Sequence, residues 1–303
     1  MNAKPSRFAY QARRHLPERV IQGALFLAAF SAVAVTAAIV VILVYESLGF
    51  FAHVSLWDFL TDTQWTPLFA VQHFGVLPLL SGTLVTAAVA LVIGIPLGTV
   101  IAIYLSEFAP HRVRETVKPV LEMLESVPSV ALGYFALLFV TPLLQAFVPG
   151  LPGFNMLSAG IVMGIFLIPY VTSLSEDAMR AVPMHIREGS YAMGATRLQT
   201  ALRVVTPAAT SGLMAAYILG VSRAVGETMV VAIAAGTQPN LTWNPLEGAS
   251  TISAYIVQVS MGDLPHGSLE YQSIFAVGIV LLLMTLLFNV VGHLLRRRLR
   301  EVY

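Results

Sequence analysis

The segment VPMHIREGSYAMGATRLQTALRVVTPA, residues 182–208, lies in the most polar stretch between apolar runs and reads as helix, turn, helix. Residues 183–193 suit a short helix, Gly194 permits the tight or left-handed turn after it, and a second helix runs from about Thr196 into Pro207. On either side the chain becomes apolar, at 157–174 and again at 209–235. A paired helix set in a polar loop, 175–207, between two such runs is a connector held outside an apolar phase, and a loop of that length has a task.

The apolar runs recur. They fall at 22–45, 80–105, 128–148, 157–174, 209–235 and 274–295, against the roughly 20 residues needed to cross a hydrocarbon core. The 303-residue chain is 57% hydrophobic and 11% charged, far below the roughly 25% charged content of a soluble domain. Its mean hydropathy is +0.78. The expectation is an all-α integral membrane protein with six transmembrane helices. It divides into an N-terminal tail 1–21, a first transmembrane helix 22–45, an external loop 46–79, a core 80–295 containing the inner loop 175–207 and the outer loop 236–273, and a basic tail 296–303. The first run exceeds the roughly 7–15 residues of a signal-peptide core and reads as a retained anchor.

Basic residues set the orientation. Lys4, Arg7, Arg13, Arg14 and Arg19 precede the first run, Arg112, Arg114 and Lys118 follow the second, Arg180, Arg187, Arg197 and Arg203 follow the fourth, and Arg296, Arg297, Arg298 and Arg300 follow the sixth. The alternate loops contain no Lys or Arg, so the positive-inside rule places both termini in the cytoplasm. In the outer loop 46–79, Trp57 and Trp65 suit an interfacial belt, and Glu46, Asp58 and Asp62 a solvated surface. Gly94 with Gly98, and Gly160 with Gly164, have the four-residue spacing that lets membrane helices approach closely.

Several classes of chemistry are excluded or unsupported. Without cysteine there is no disulfide, thiol nucleophile or Cys-based metal site. No Walker A pattern occurs, so the chain binds no nucleotide through a P-loop of its own. The histidines are scattered without metal spacing, no catalytic constellation stands out, and the basic RRRLR near the C-terminus fits topology and anionic lipid better than nucleic acid.

In the inner loop, Glu188, Gly194, Val204 and Pro207 fall on the spacing E-A-A-x3-G-x9-I-x-L-P, and here the chain resembles the permease subunits of bacterial ABC importers. It departs at Gly189 and Ser190, where that family often has two alanines, and at Thr206 in place of leucine. The resemblance narrows at SRAVGETM, residues 222–229, with EGSYAMGATRLQT, ESVPSVALGYFAL, ISAYI and YQSIFAVGIVLLLMTLLFN: these look like the permeases of the high-affinity phosphate importer, the C-type member of the pair above all. It implies a type I ABC importer permease (MetI-like) fold in the bacterial cytoplasmic membrane. It also implies that Glu188, Gly189, Ser190, Gly194 and Pro207 belong to the loop that docks on an ATPase. The implied partners are inorganic phosphate, a paralogous A-type permease, a dimeric ATPase that uses ATP and magnesium, and an external phosphate-binding protein. No cofactor is implied for this chain itself.

SRAVGETM also poses a physical problem, because Arg223 and Glu227 lie inside the fifth apolar run. A charge at the bilayer centre costs about 2.5–3.5 kcal/mol on insertion scales, so such residues face protein or water. Counted from Pro207 along one helix, Arg223 lies roughly 24 Å in, past the middle. Four residues apart on one helix, the two can pair. A guanidinium fork matches two oxygens of phosphate, which makes Arg223 the candidate anion contact and Glu227 the group that neutralises it between passages. Ser222 and Thr228 are weaker candidates. A purely structural ion pair, a permease for sulfate or molybdate, and an ATPase-independent transporter or channel gated by the same two charges remain alternatives.

Overall fold

The computed structural model describes residues 15–298, with side chains for 18–296. Lys4, Arg7, Arg13, Arg14 and Arg300 lie outside the described residues, with most of the expected end tails. The regular structure among the described residues is helical, apart from one isolated bridge between Trp65 and Phe74. In chain order these are α1 (His15–Phe51), α2 (Leu56–Thr61), α3 (Leu77–Ile103), α4 (His111–Glu125), α5 (Ser129–Phe135), α6 (Thr141–Phe147) and α7 (Met156–Arg180). There follow α8 (Met184–Ala192), α9 (Arg197–Thr200), α10 (Thr206–Ala208), α11 (Thr210–Val225), α12 (Met229–Ala234), α13 (Ile252–Ser260) and α14 (Leu269–Arg298).

Five spans are continuous: Glu18–Phe51, Leu77–Phe108, Ser129–Phe147, Met156–Arg180 and Leu269–Arg296. The fifth expected span, 209–235, is not one helix. The chain bends by 73° between Arg197–Ala208 and Thr210–Val225, and helix stops again at Gly226 before restarting as α12. The most apolar stretch of the first span has no buried residue, while Ser47 and Phe50 near its end are buried and α1 packs along α14.

At the centre, α3 and α7 lie against each other through the paired glycines. A Cβ on Gly94 would sit 2.8 Å from Leu167 Cβ, one on Gly98 2.8 Å from Val171 Cβ, one on Gly160 2.6 Å from Val89 Cβ, and one on Gly164 2.9 Å from the Ala90 carbonyl oxygen. Each helix thus uses its small residues to admit the other's side chains, as the four-residue spacing predicts. Thr172 Oγ1 crosses the contact to donate to the Gly98 carbonyl at 3.1 Å. The surrounding core joins Met156, Met163 and Leu167 of α7 to Ala224 and Val225 of α11 and Val230 and Val231 of α12.

Three π-helical turns, Tyr104–Phe108, Ala136–Val140 and Ala201–Val205, share one cause. Each is followed by a residue and then a proline: Ala109-Pro110, Thr141-Pro142 and Thr206-Pro207. Proline lacks the N–H that would bond four residues back, and its ring crowds that carbonyl. The ladder widens instead, and the residue before each proline donates five back, to Tyr104, Ala136 and Ala201. Thr141 and Thr206 add their hydroxyls to the same carbonyls, at 3.0 and 2.8 Å.

Away from the arginine-rich loops, the segment between α1 and α3 divides its aromatic residues between a packed cluster and an exposed surface. Trp65 is 1% exposed, packed among Phe59, Phe74 and Tyr255, whereas Trp57 remains 74% exposed. Asp62 bonds the Gln64 N–H at 3.0 Å and His73 Nδ1 at 3.0 Å, which ties the two arms of the loop.

Candidate functional site

The break in the fifth span answers the question its charges raise. Arg223 occupies the last turn of α11, where unpaired carbonyls favour a cation, and the helix ends two residues on with Gly226 as its cap. Glu227 lies beyond it and accepts the N–H groups of Met229 and Val230 at 3.2 and 3.4 Å, capping the start of α12. Each charge sits at the helix end whose dipole suits it. Ser253 of α13 braces the break by donating to the Glu227 carbonyl at 2.7 Å.

The expected pair on one helix face is therefore absent. No ion pair joins Arg223 to Glu227 among the described residues, because the helix stops between them. The guanidinium stacks instead on two rings of α7, 4.8 Å from Tyr170 and 4.9 Å from Phe166. Both rings lie near the middle of α7, so Arg223 sits at mid-span and not toward the outer side; counting along one helix overran at the 73° bend. Both Arg223 and Glu227 are half-buried. Ser222 Oγ is buried with no hydrogen-bond partner among the described residues, and Thr228 Oγ1 donates to the Gly226 carbonyl at 3.2 Å.

A further carboxylate stands near Arg223 that sequence reading did not single out. Glu125 is half-buried at the end of α4. Burial pushes its carboxyl above the ordinary carboxylate range, while the Arg223 guanidinium pulls it back and Glu122 pushes it further.

Two ion-pair networks connect this region to the arginine-rich loops, both missed because their partners are far apart in sequence. Glu176 of α7, 1% exposed, accepts from Arg114 Nε at 2.6 Å and Lys118 Nζ at 3.0 Å, both on α4. Lys118 also bonds Asp177. Burial alone would lower the Lys118 pKa, but its bonds to Asp177 and Glu176 hold it above the ordinary lysine range. In the second network Arg187 of α8 donates to Glu107 Oε1 and Oε2 at 2.9 and 3.3 Å, in the π-turn after α3. The same guanidinium caps the end of α7, donating to the Met179 and Val182 carbonyls at 2.9 and 2.5 Å. One side chain joins α3, α7 and α8.

The polar loop has the expected form. Gly194 takes φ +81 between α8 and α9, and Thr196 closes a capping box with Gln199. Glu188, Gly189, Gly194 and Pro207 are exposed, and Ser190 Oγ meets Thr200 Oγ1 at 2.9 Å. Met184, Met193 and Leu198 are 60%, 88% and 57% exposed, so the loop offers an apolar surface that nothing among the described residues covers. Among the described residues no cluster of His, Asp or Glu could hold a metal ion.

Residues 94–301 match the family model described as binding-protein-dependent transport system inner membrane component. The chain is 37% identical to a probable ABC transporter permease protein, YqgH, of Bacillus subtilis (strain 168), over 76% of this chain and 74% of that protein. It is 32% identical to the phosphate transport system permease protein PstC of Mesorhizobium japonicum, over 80% and 78% of the two chains. A bacterial ABC transporter that imports the acidic polysaccharide alginate contains a chain with the same fold, at TM-score 0.64 and 15% identity, covering 95% of this chain and all of that one.

Proposed function

The chain belongs to the binding-protein-dependent transport system inner membrane components, with the fold of a type I ABC importer permease, and on that premise we propose that it passes inorganic phosphate across a bacterial cytoplasmic membrane. The observation that carries the anion reading is Arg223: a guanidinium at mid-span, at the break between α11 and α12, stacked on rings and not ion-paired to Glu227. Its fork presents donors to two oxygens of one anion. The choice of phosphate among oxyanions follows the phosphate permease relatives.

Arg223 is the anion contact, and Glu227 holds the break at which the anion passes, with Ser222 and Thr228 beside it. The α8–α9 loop, through Glu188, Gly189, Ser190 and Gly194, with Pro207 where the chain turns into the membrane, docks on a separate ATPase that consumes ATP and magnesium. Arg187 transmits movement there to α3 and α7 through Glu107, the Met179 carbonyl in the last turn of α7 and the Val182 carbonyl just past it. A paralogous permease completes the pathway, two ATPase subunits lie on the arginine-rich side, and an external binding protein delivers phosphate on the other. The arginine-rich loops and both termini face the cytoplasm.

Uptake of labelled phosphate by vesicles containing the assembled importer tests this. Excess unlabelled phosphate abolishes uptake, sulfate and molybdate leave it in place, and ATP depletion stops it. Equal competition by sulfate would assign the permease to another oxyanion, and uptake without ATP would make it a secondary transporter or channel.

A further inference from the structure

Glu125 and Arg223 come from elements far apart in the chain, and three observations bring them to one place. First, α4 is fixed on α7 by Arg114 and Lys118, which hold Glu176 and Asp177 near the end of that helix. About two turns beyond Lys118, α4 ends at Glu125; Arg223 stacks on Tyr170 and Phe166, about two to three turns back along the same α7. Second, the corner that follows Glu125 leads into α5, whose Gly133 packs along α12 against the Met229 carbonyl and Ile233. That brings the α4–α5 corner to the side of the helix that restarts after the break. Third, Glu125 is half-buried where α4 ends, and the burial that pushes its carboxyl up is opposed by the Arg223 guanidinium within electrostatic reach, although no ion pair joins the two among the described residues.

Glu227, by contrast, is engaged in capping α12. An arginine at mid-span with no counter-charge would retain an anion and be costly without one. We propose that Glu125 supplies the counter-charge for Arg223, so that the transported anion displaces a carboxylate carried on a different helix from the arginine it occupies.

The arrangement differs in kind from a pair on one helix. A carboxylate on α11 itself would move with Arg223, whereas Glu125 belongs to a helix tied to α7, so a shift of α11 relative to α7 and α4 separates the two charges. Withdrawal of Glu125 frees the guanidinium for the anion, and its return competes the anion off. Because α4 is tied to the end of α7 through Glu176 and Asp177, and α7 to α8 through Arg187, the counter-charge is mechanically connected to the polar loop. This inference rests on Arg223 being the anion contact.

The test uses the assembled importer in vesicles, with uptake normalised to assembled complex. Glu125→Gln lowers the maximal phosphate uptake rate about tenfold, less than the loss for a fully buried charge pair because Glu125 is only half-buried. The absence of cysteine from this chain allows a charge-specific check. Glu125→Cys, inactive as assembled, regains uptake when modified with a methanethiosulfonate bearing a sulfonate and not with one bearing a trimethylammonium. Independently of transport, a Glu125→Cys, Arg223→Cys chain is cross-linked by a short bifunctional thiol reagent in membranes. Wild-type uptake by Glu125→Gln, equal responses to the two reagents, or no cross-link would overturn the proposal. Loss of uptake in Arg223→Gln together with normal uptake in Glu125→Gln would sink this inference alone; normal uptake in Arg223→Gln would sink the anion contact on which it rests.

Discussion

Replacing Arg187 by alanine removes the joint between the polar loop and the membrane helices, and its cost can be worked from the geometry. The Arg187 side chain is 10% exposed and its partner Glu107 4%, so solvent screens the pair little. Deleting one member of such a pair costs about 3–5 kcal/mol, because the survivor stays buried and uncompensated. The Met179 and Val182 carbonyls also lose their donor. At roughly 2–3 °C per kcal/mol for a chain of this size, thermal unfolding of the detergent-solubilised protein shifts down by about 6–15 °C. Replacing both partners, Arg187→Met with Glu107→Gln, removes the stranded charge and recovers more than half of that shift. The double-mutant cycle then gives a coupling of about 2–3 kcal/mol, within the range for residues in direct contact. Arg187→Lys keeps the charge but loses the fork and falls between. A melting temperature for Arg187→Ala within 2 °C or so of wild type, or strictly additive losses in the double variant, would refute the clamp.

Other consequences follow from single positions. Gly164→Val drives a side chain into the Ala90 carbonyl and Ile93 and destabilises the α3–α7 contact by at least the 1–3 kcal/mol or so typical of overpacking, read as a lowered melting temperature; an unchanged value would mean the helices can separate freely. Gly194→Val meets no atom within 4 Å yet forces φ +81 on a branched residue, at about 1–2 kcal/mol. The variant inserts normally but loses pull-down of the ATPase, while Gly194→Asn, whose side chain tolerates the left-handed region, retains more of it. Burial pushes the Asp62 carboxyl up, but the Gln64 N–H and His73 outweigh it and hold it below the ordinary carboxylate range. A lowered acid pKa stabilises the folded loop at and above the ordinary range, and that contribution is lost as pH falls through the depressed value. Amide exchange at Gln64, compared with Asp62→Asn on a common intrinsic-rate scale, therefore shows protection that disappears only at strongly acidic pH.

The membrane class, the number of crossings and the helix-turn-helix loop were legible because each depends on local pattern: run length, glycine spacing, and Gly194 before a capping box. The break in the fifth span was not. Val230, Val231 and Ala234 continue the apolar run past Gly226, so composition hides the point at which the backbone stops being helical. Gly226 between two opposite charges was the available signal, since a glycine cap with a cation before it and an acid after it satisfies both helix ends. Each π-turn precedes a residue and a proline, but Pro96, Pro119 and Pro169 lie inside helices without one, so that pattern alone did not announce them. Arg187–Glu107 and Arg114–Lys118–Glu176 could not be read from one chain, because only tertiary packing brings those helices together. Glu125 was invisible for the same reason: its significance lies in the corner of α4 and α5 beside Arg223.

The central claim is that Arg223, at the break of the fifth span, is where the anion touches this chain. The most direct measurement is the phosphate uptake rate of Arg223→Gln per assembled complex, with complex abundance and ATPase binding determined on the same membranes. The account predicts normal insertion and ATPase binding with uptake abolished. Uptake at the wild-type rate would contradict it.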